Sequence, residues 1–226
     1  MRYRMRDNLS YCVIDGHAVF LDIEADRYFC LPERLERDFV AYASASDCSG
    51  TTLKMLVEHN ILTPERGAGR DAAPTQISAP RRSAQEMRDS NTGIAMLAIP
   101  EVAAAVLACR RRIRTKAFKD ILDRTVRFRE QRCLPPTHQA GQVREWQLLQ
   151  ATSVFRRARM YVPIATCCLL DSLALSGFLA RRHFRSNIVF GVTYEPFSAH
   201  CWVQSGDIAL NETVGNAMAH TIIKVV

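Results

Sequence analysis

The sequence predicts an α+β fold in two modules: a small N-terminal three-stranded sheet plus helices, winged-helix-like in outline, and a larger C-terminal α+β domain. Three observations carry this. Short apolar runs separated by turn residues fill 11–31. Apolar residues at helical spacing dominate 100–177, and strand-like runs return over 187–211. Net charge divides the chain in the same way, −4 over 1–65 against +11 over 66–226.

The N-terminal runs are 11–14, 18–23 and 27–31, with Asp15-Gly16 and Ala25-Asp26 between them. Asp-Gly between apolar runs signals a hairpin because glycine reaches positive φ without steric cost. Pro32 closes the third run and is expected at the first position of a helix with Leu35, Phe39 and Tyr42 on one face. Thr51 or Thr52 is expected to cap a second helix bearing Leu53, Leu56 and Val57. A module this small brings too few polar groups together for catalysis. Its open sheet edge beside a helix suits strand addition by a peptide, and a structural cap on the larger domain is the other reading. Residues 66–93 hold Pro, Gly, Ser and charge without apolar periodicity. They are expected to be a linker, since such a stretch cannot offset its ordering entropy by burial. The expected domains are therefore 1–65 and 94–226.

In the second domain helices are expected over 100–116, 118–130 and 143–161, the last with Trp146, Leu149 and Phe155 facing inward. After Pro163 a helix starts at Cys168, with Leu169, Leu173 and Gly177 along its buried face. Strands follow over 187–194, 199–204 and 207–211, the last two joined at Ser205-Gly206.

Composition removes several function classes. The 8 cysteines show no regular spacing and no CxxC pair, and no signal-peptide pattern precedes them, so reduced thiols in a cytoplasmic protein are expected and structural zinc is not. The longest apolar stretch, 94–108, is broken by Pro100 and Glu101, which leaves no span of roughly 18 apolar residues for a membrane. Much of the basic excess lies over 110–132, including Arg112, Arg124, Arg127 and Arg132. Two readings stay open for it: a solvated helix face, or a docking surface for an acidic partner or phosphate-bearing ligand. Aromatic residues are not interleaved with these arginines, which argues against nucleic acid.

The chemistry-bearing pattern is Cys168 at a helix start, then His200 on a strand, then Glu212. A thiol at its ordinary pKa is only a few per cent thiolate, so an imidazole must take its proton and an acid must orient that imidazole. The helix N-terminus adds partial positive charge under the sulfur. Strand alternation puts His200, Trp202 and Gln204 on one face and Cys201 and Val203 on the other, so only one of His200 and Cys201 is expected to face the helix. The turn at 205–206 brings Glu212 back beside His200. Cys167 is turned by about 100° from Cys168; it, Cys12, Cys30 and Cys109 read as small core residues. His17, His59, His138, His183 and His220 match no motif.

Residues 168–175, 189–192, 196–203 and 206–212 closely resemble the B protein of lasso peptide biosynthesis. That family joins a PqqD-like leader-recognition element to a transglutaminase-like cysteine peptidase of the papain-like superfamily, and the resemblance covers nearly the whole chain. It implies Cys168 as nucleophile, His200 as general base and acid, and Glu212 in the place of the family's aspartate, one methylene longer. It further implies an oxyanion held by backbone N–H groups including that of Cys168. A precursor's leader peptide would add to the N-terminal sheet along Tyr28, Phe29, Cys30 and Leu31, with Leu53 and Val57 beside it. The second implied partner is an asparagine-synthetase-like cyclase. No cofactor is expected in this chain: it has no Gly-rich phosphate loop, so the pathway's ATP dependence is assigned to that cyclase. Two other classes stay open, a non-catalytic leader-binding chaperone and a winged-helix nucleic-acid binder; the net acidic N-terminal module argues against the latter.

Overall fold

Asp15 and Gly16 have φ of 51° and 88°, the positive pair that lets a two-residue turn match the twist of its strands. Strand β2 (Leu9–Ile14) therefore folds back on β3 (His17–Asp22) with Tyr11 opposite Phe20. Asp26, φ 50°, turns the chain again into β4 (Arg27–Cys30), which among the described residues pairs only with β3 and is an edge strand. The computed structural model describes residues 3–44, 50–64, 77–87, 95–133 and 142–226. These fall into two compact units, one of Met1–Gln76, Val192–Ser198 and Thr221–Lys224, the other of Ile77–Gly191, Ala199–His220 and Val225–Val226.

In the first unit the sheet packs Tyr11 and Phe20 against Phe39 of α1 (Glu33–Ala43), both ring pairs at 4.8 Å. Pro32 stands at the N-cap rather than the first helical position, with ψ of 144° keeping it extended. Helix α2 (Gly50–Glu58) starts before Thr51 and Thr52, so neither caps it; both lie in its first turn. A second, unexpected pairing joins β1 (Tyr3–Met5) to β5 (Leu62–Pro64), where Met5 opposite Leu62 closes the core.

The second unit contains β6 (Arg82–Ser83), α3 (Ala95–Thr115), α4 (Phe118–Arg132), α5 (Gln142–Arg159) and α6 (Cys168–Arg181). They are followed by most of β7 (Asn187–Thr193) and β8 (Ser198–Ser205), then β9 (Ile208–Ala209) and α7 (Val214–Met218). Strands β7, β8, β9 and β6 are neighbours in that order. Helix α6 is buried on nearly every side rather than on one face, because α3, α4 and α5 all pack on it. Its leucines, alanines and small serines suit a helix without a solvated face. On α5 the buried stripe is Leu148, Thr152, Phe155 and Ala158. Trp146 is about 200° round the helix from Leu148 and is 60% exposed, contrary to the inward placement expected for it. Helix α3 also begins ahead of Pro100, which falls near its N-terminal end and removes one backbone bond there.

The described part of the expected linker, 77–87, carries structure. Strand β6 runs parallel to β9, with Arg82 opposite Ile208. Long-range polar pairing overrides the local composition. The Gln204 Nε2 group donates to the Ser78 carbonyl at 2.7 Å, Arg82 bridges Asp207 and Glu145, and Ser83 Oγ donates to the Glu212 carbonyl at 2.6 Å. The rest of 66–93 lies outside the described residues. Strand β9 is only two residues long, so Asn211 and Glu212 sit past it rather than on a strand. Among the described residues no helix is long and apolar enough to cross a membrane.

Gly191 on β7 marks a close approach. A Cβ there would lie 2.8 Å from His220 Cβ and 3.0 Å from the Trp202 ring. Gly191→Ala is expected to destabilise the protein by about 1–3 kcal/mol through overpacking, read as a lowered denaturant midpoint at unchanged slope.

Candidate active site

The site begins with how α6 starts. Arg159, the last residue of α5, is buried and braces the connection from inside: its guanidinium donates to the carbonyls of Val162 (3.2 Å), Ile164 (2.9 Å) and Ala165 (3.3 Å). Its Nε donates to Asp171 Oδ1 at 2.6 Å, and Asp171 Oδ2 accepts the N–H of Cys167, the N-cap residue, at 3.2 Å. A carboxylate in the first turns also complements the helix dipole. Cys168 is thereby held at the first helical position, where its own N–H has no intrahelical acceptor.

Strand β8 supplies the opposing wall. Past the end of β9, Val203 N–H donates to Asn211 Oδ1 at 2.6 Å instead of to a strand. Two residues earlier, on the same edge, the Cys201 N–H is one of the groups that lower the Cys168 thiol. His200 and Cys201 both line the cavity beside Cys168 and both lower its thiol, which corrects the expectation that only one would face the helix. Asn211 ties the pieces together: its Nδ2 donates to Ser172 Oγ at 3.0 Å, and that hydroxyl donates to the Cys201 carbonyl at 3.3 Å.

These contacts set the charges. The Cys201 thiol donates a hydrogen bond to Cys168, and with His200 and the Cys201 N–H it outweighs burial and draws the Cys168 thiol down to about 4. The same bond, with burial, pushes the Cys201 thiol far up, so Cys201 stays protonated as donor. His200 is raised, first by its hydrogen bond to Cys168 and then, against burial, by Glu212. Burial would raise Glu212, but hydrogen bonds from the Thr213 N–H (2.8 Å), His200 and Asn216 hold it below the usual carboxylate range. The resting pair is thiolate and imidazolium.

Glu212 Oε2 lies 2.5 Å from His200 Nε2, which leaves Nδ1 for the sulfur. The imidazole is flanked by Trp202 (ring centroids 6.3 Å) and by His220 (5.4 Å), whose Nδ1 is bonded to the Asn216 carbonyl at 2.8 Å. A cavity of about 380 Å³ opens beside Cys168, with Phe155, Leu175 and Leu210 as apolar wall and Arg156, Gln85 and Asp171 as polar lining.

The structure thus brings Cys168, His200 and Glu212 together. In the first unit Phe29, Cys30 and Leu31 line a separate cavity of about 500 Å³ with Arg27 and His59. Tyr28 points elsewhere, meeting Phe197 at 5.8 Å within that unit, while Phe29 stacks on Phe20 at 5.1 Å. Leu53 and Val57 pack against the core rather than line the cavity. Cys12 and Cys109 are buried, whereas Cys30 and Cys167, expected in the core, are exposed: one ends an edge strand and the other caps a helix. Sequence reasoning missed Arg159, Asp171, Ser172, Cys201 and His220. Only Asp171, four residues past the N-cap, left a local signal, a carboxylate in the first turns of a helix. Among the described residues no three His, Cys, Asp or Glu side chains gather as a metal-binding group.

A family model described as the transglutaminase-like superfamily matches residues 103–224, more than half of the chain and all three of these side chains. No curated protein and no solved structure matches it significantly.

Alkylation by iodoacetamide, followed by mass at Cys168, is expected to stay near its plateau as pH falls and to drop with a midpoint near 4, where the lowered thiol takes up its proton. In Cys201→Ala the largest stabiliser of the thiolate is gone and the midpoint moves upward. Cys201→Ser keeps an O–H donor and stays closer to wild type. An unmoved midpoint in Cys201→Ala contradicts this account.

Proposed function

Since the chain belongs to the transglutaminase-like superfamily, we propose that it is a cysteine peptidase that removes the leader peptide from a ribosomally made lasso peptide precursor, freeing the core N-terminus for macrolactam formation by a partner cyclase in the cytoplasm. The observation that carries the chemistry is Cys168 at the start of α6 in one cavity with His200, whose imidazole meets the Glu212 carboxylate, with the Cys168 thiol drawn low. Two features support the substrate. The sequence strings around these residues resemble the B protein of that pathway. In the first unit, the outer edge of β4 has no strand partner among the described residues and borders the cavity lined by Phe29, Cys30 and Leu31, an arrangement suited to an added strand.

The steps follow from the residues. Cys168 attacks the carbonyl carbon of the last leader residue, and the oxygen gains the negative charge in reach of the Cys168 N–H. His200 gives its Nδ1 proton to the departing amine as the C–N bond breaks, leaving a thioester and a core peptide with a free amino terminus. Water then adds to the thioester, His200 takes one of its protons, and the leader leaves as an acid with the thiolate restored. Glu212 holds the imidazole in the orientation both transfers need. In this reading the chain itself needs no cofactor, and nucleotide dependence belongs to the cyclase.

The test is to mix the protein, Cys168→Ala and Glu212→Gln with the precursor encoded with it, with and without the cyclase, and follow peptide mass. Cleavage at the leader–core junction by wild type, none by Cys168→Ala, and a rate lowered by about 10²–10⁴-fold in Glu212→Gln are expected. If wild type binds the leader but never cuts it, even with the cyclase present, the protein is a leader-binding chaperone.

A further inference from the structure

Between α3, α4 and α6 lies a second cavity, of about 180 Å³, that the catalytic chemistry does not use. Its floor is Ala105, Ala108, Ala174 and Gly177, and Ile121 and Phe128 add apolar wall. Arg112, Arg124, Arg132 and Arg181 rim it, and no carboxylate lines it. A wider groove of about 480 Å³ shares Arg112, Ile121, Arg124 and Phe128 with it and adds Lys116, Arg127 and a single carboxylate, Asp120.

Neighbouring acids are engaged elsewhere. Glu101 takes two hydrogen bonds from Arg182, at 2.8 and 2.7 Å, and Asp123 pairs with Lys119 at 3.2 Å. Among the described residues none of the six rim cations forms an ion pair. Like charges gathered within a Debye length repel one another, and an anion laid across them relieves that repulsion.

We propose that this groove docks an acidic segment of a partner protein, with carboxylates held by the arginine forks and an aliphatic side chain seated on the alanine floor. Three features select this occupant. From Lys116 at the end of α3, the polar lining continues along α4 from Asp120 to Arg132, a run of about 18 Å at the helical rise. That length fits a peptide segment rather than one phosphate group. Along the interior of α4, where Arg124, Arg127 and Phe128 lie, backbone N–H groups are already hydrogen-bonded, so that stretch of the groove offers a phosphate no amide nest. The Phe128 ring is covered by the Arg132 guanidinium, 5.3 Å from its centroid, which leaves no platform for a stacked base.

The test is fluorescence anisotropy with a labelled peptide that repeats Glu-Glu-Leu-Ala four times. Affinity is expected to fall about tenfold between roughly 50 and 300 mM salt. The pair Arg124→Glu with Arg132→Glu is expected to weaken it a further tenfold or so, while Arg111→Glu with Arg114→Glu, the same charge change outside the groove, stays within about twofold. If the first pair loses its native circular dichroism, the exposed Arg124→Gln carries the test alone, with about a threefold loss. Equal weakening by both pairs, tighter binding of single-stranded DNA or tripolyphosphate than of the peptide, or no binding by wild type would each overturn the proposal.

Discussion

The early end of β9 is the constraint on which the site depends. Had the strand continued past Ala209, Cys201 N–H would have met a strand carbonyl. Instead β9 stops at Ala209, and the Cys201 N–H and thiol act on Cys168 at the first turn of α6, lowering its thiol. Backbone groups do not stay unpaired in a protein interior, so a half-buried thiolate becomes the acceptor that completes the edge. Cys168 is thus tied electrostatically to β8, whose Cys201 and His200 hold its thiol low.

Holding that geometry requires bracing on both sides. Arg159 and Asp171 fix the helix start from the side of α5, and Asn211 and Ser172 fix the strand and the bend after it. The glutamate at 212 belongs to the same logic. Lying in the bend past β9 rather than on a strand, it has room for its extra methylene. One oxygen takes the Thr213 N–H and the other meets His200, so both are engaged.

The basic excess of the chain separates into two populations. Arg82, Arg129 and Arg182 act as cross-braces to oxygens of distant residues, and Arg159 braces the nearby connection into α6. Among the described residues the arginines of the groove beside α3 and α4 form no ion pair, and Arg132 instead covers the Phe128 ring. Net charge alone does not separate these uses; the distinction rests on which guanidinium heads the helix packing carries to an oxygen.

By itself the sequence determined the short-range features: the Asp15-Gly16 hairpin, the edge strand after it and the helix starting at Cys168; the Cys168, His200 and Glu212 triplet was legible only through residue order and family resemblance. These are set by φ preferences, side-chain period and spacing, which act over a few residues. Tertiary structure alone decided that Arg82-Ser83 joins the sheet, that Trp146 faces out while Leu148 faces in, and that Cys201, Ser172 and His220 surround the reacting groups. Each of these outcomes depends on a partner far away in the chain, as with Gln204 and the Ser78 carbonyl, and a hydrogen bond or close contact between distant segments leaves no periodic trace in either one.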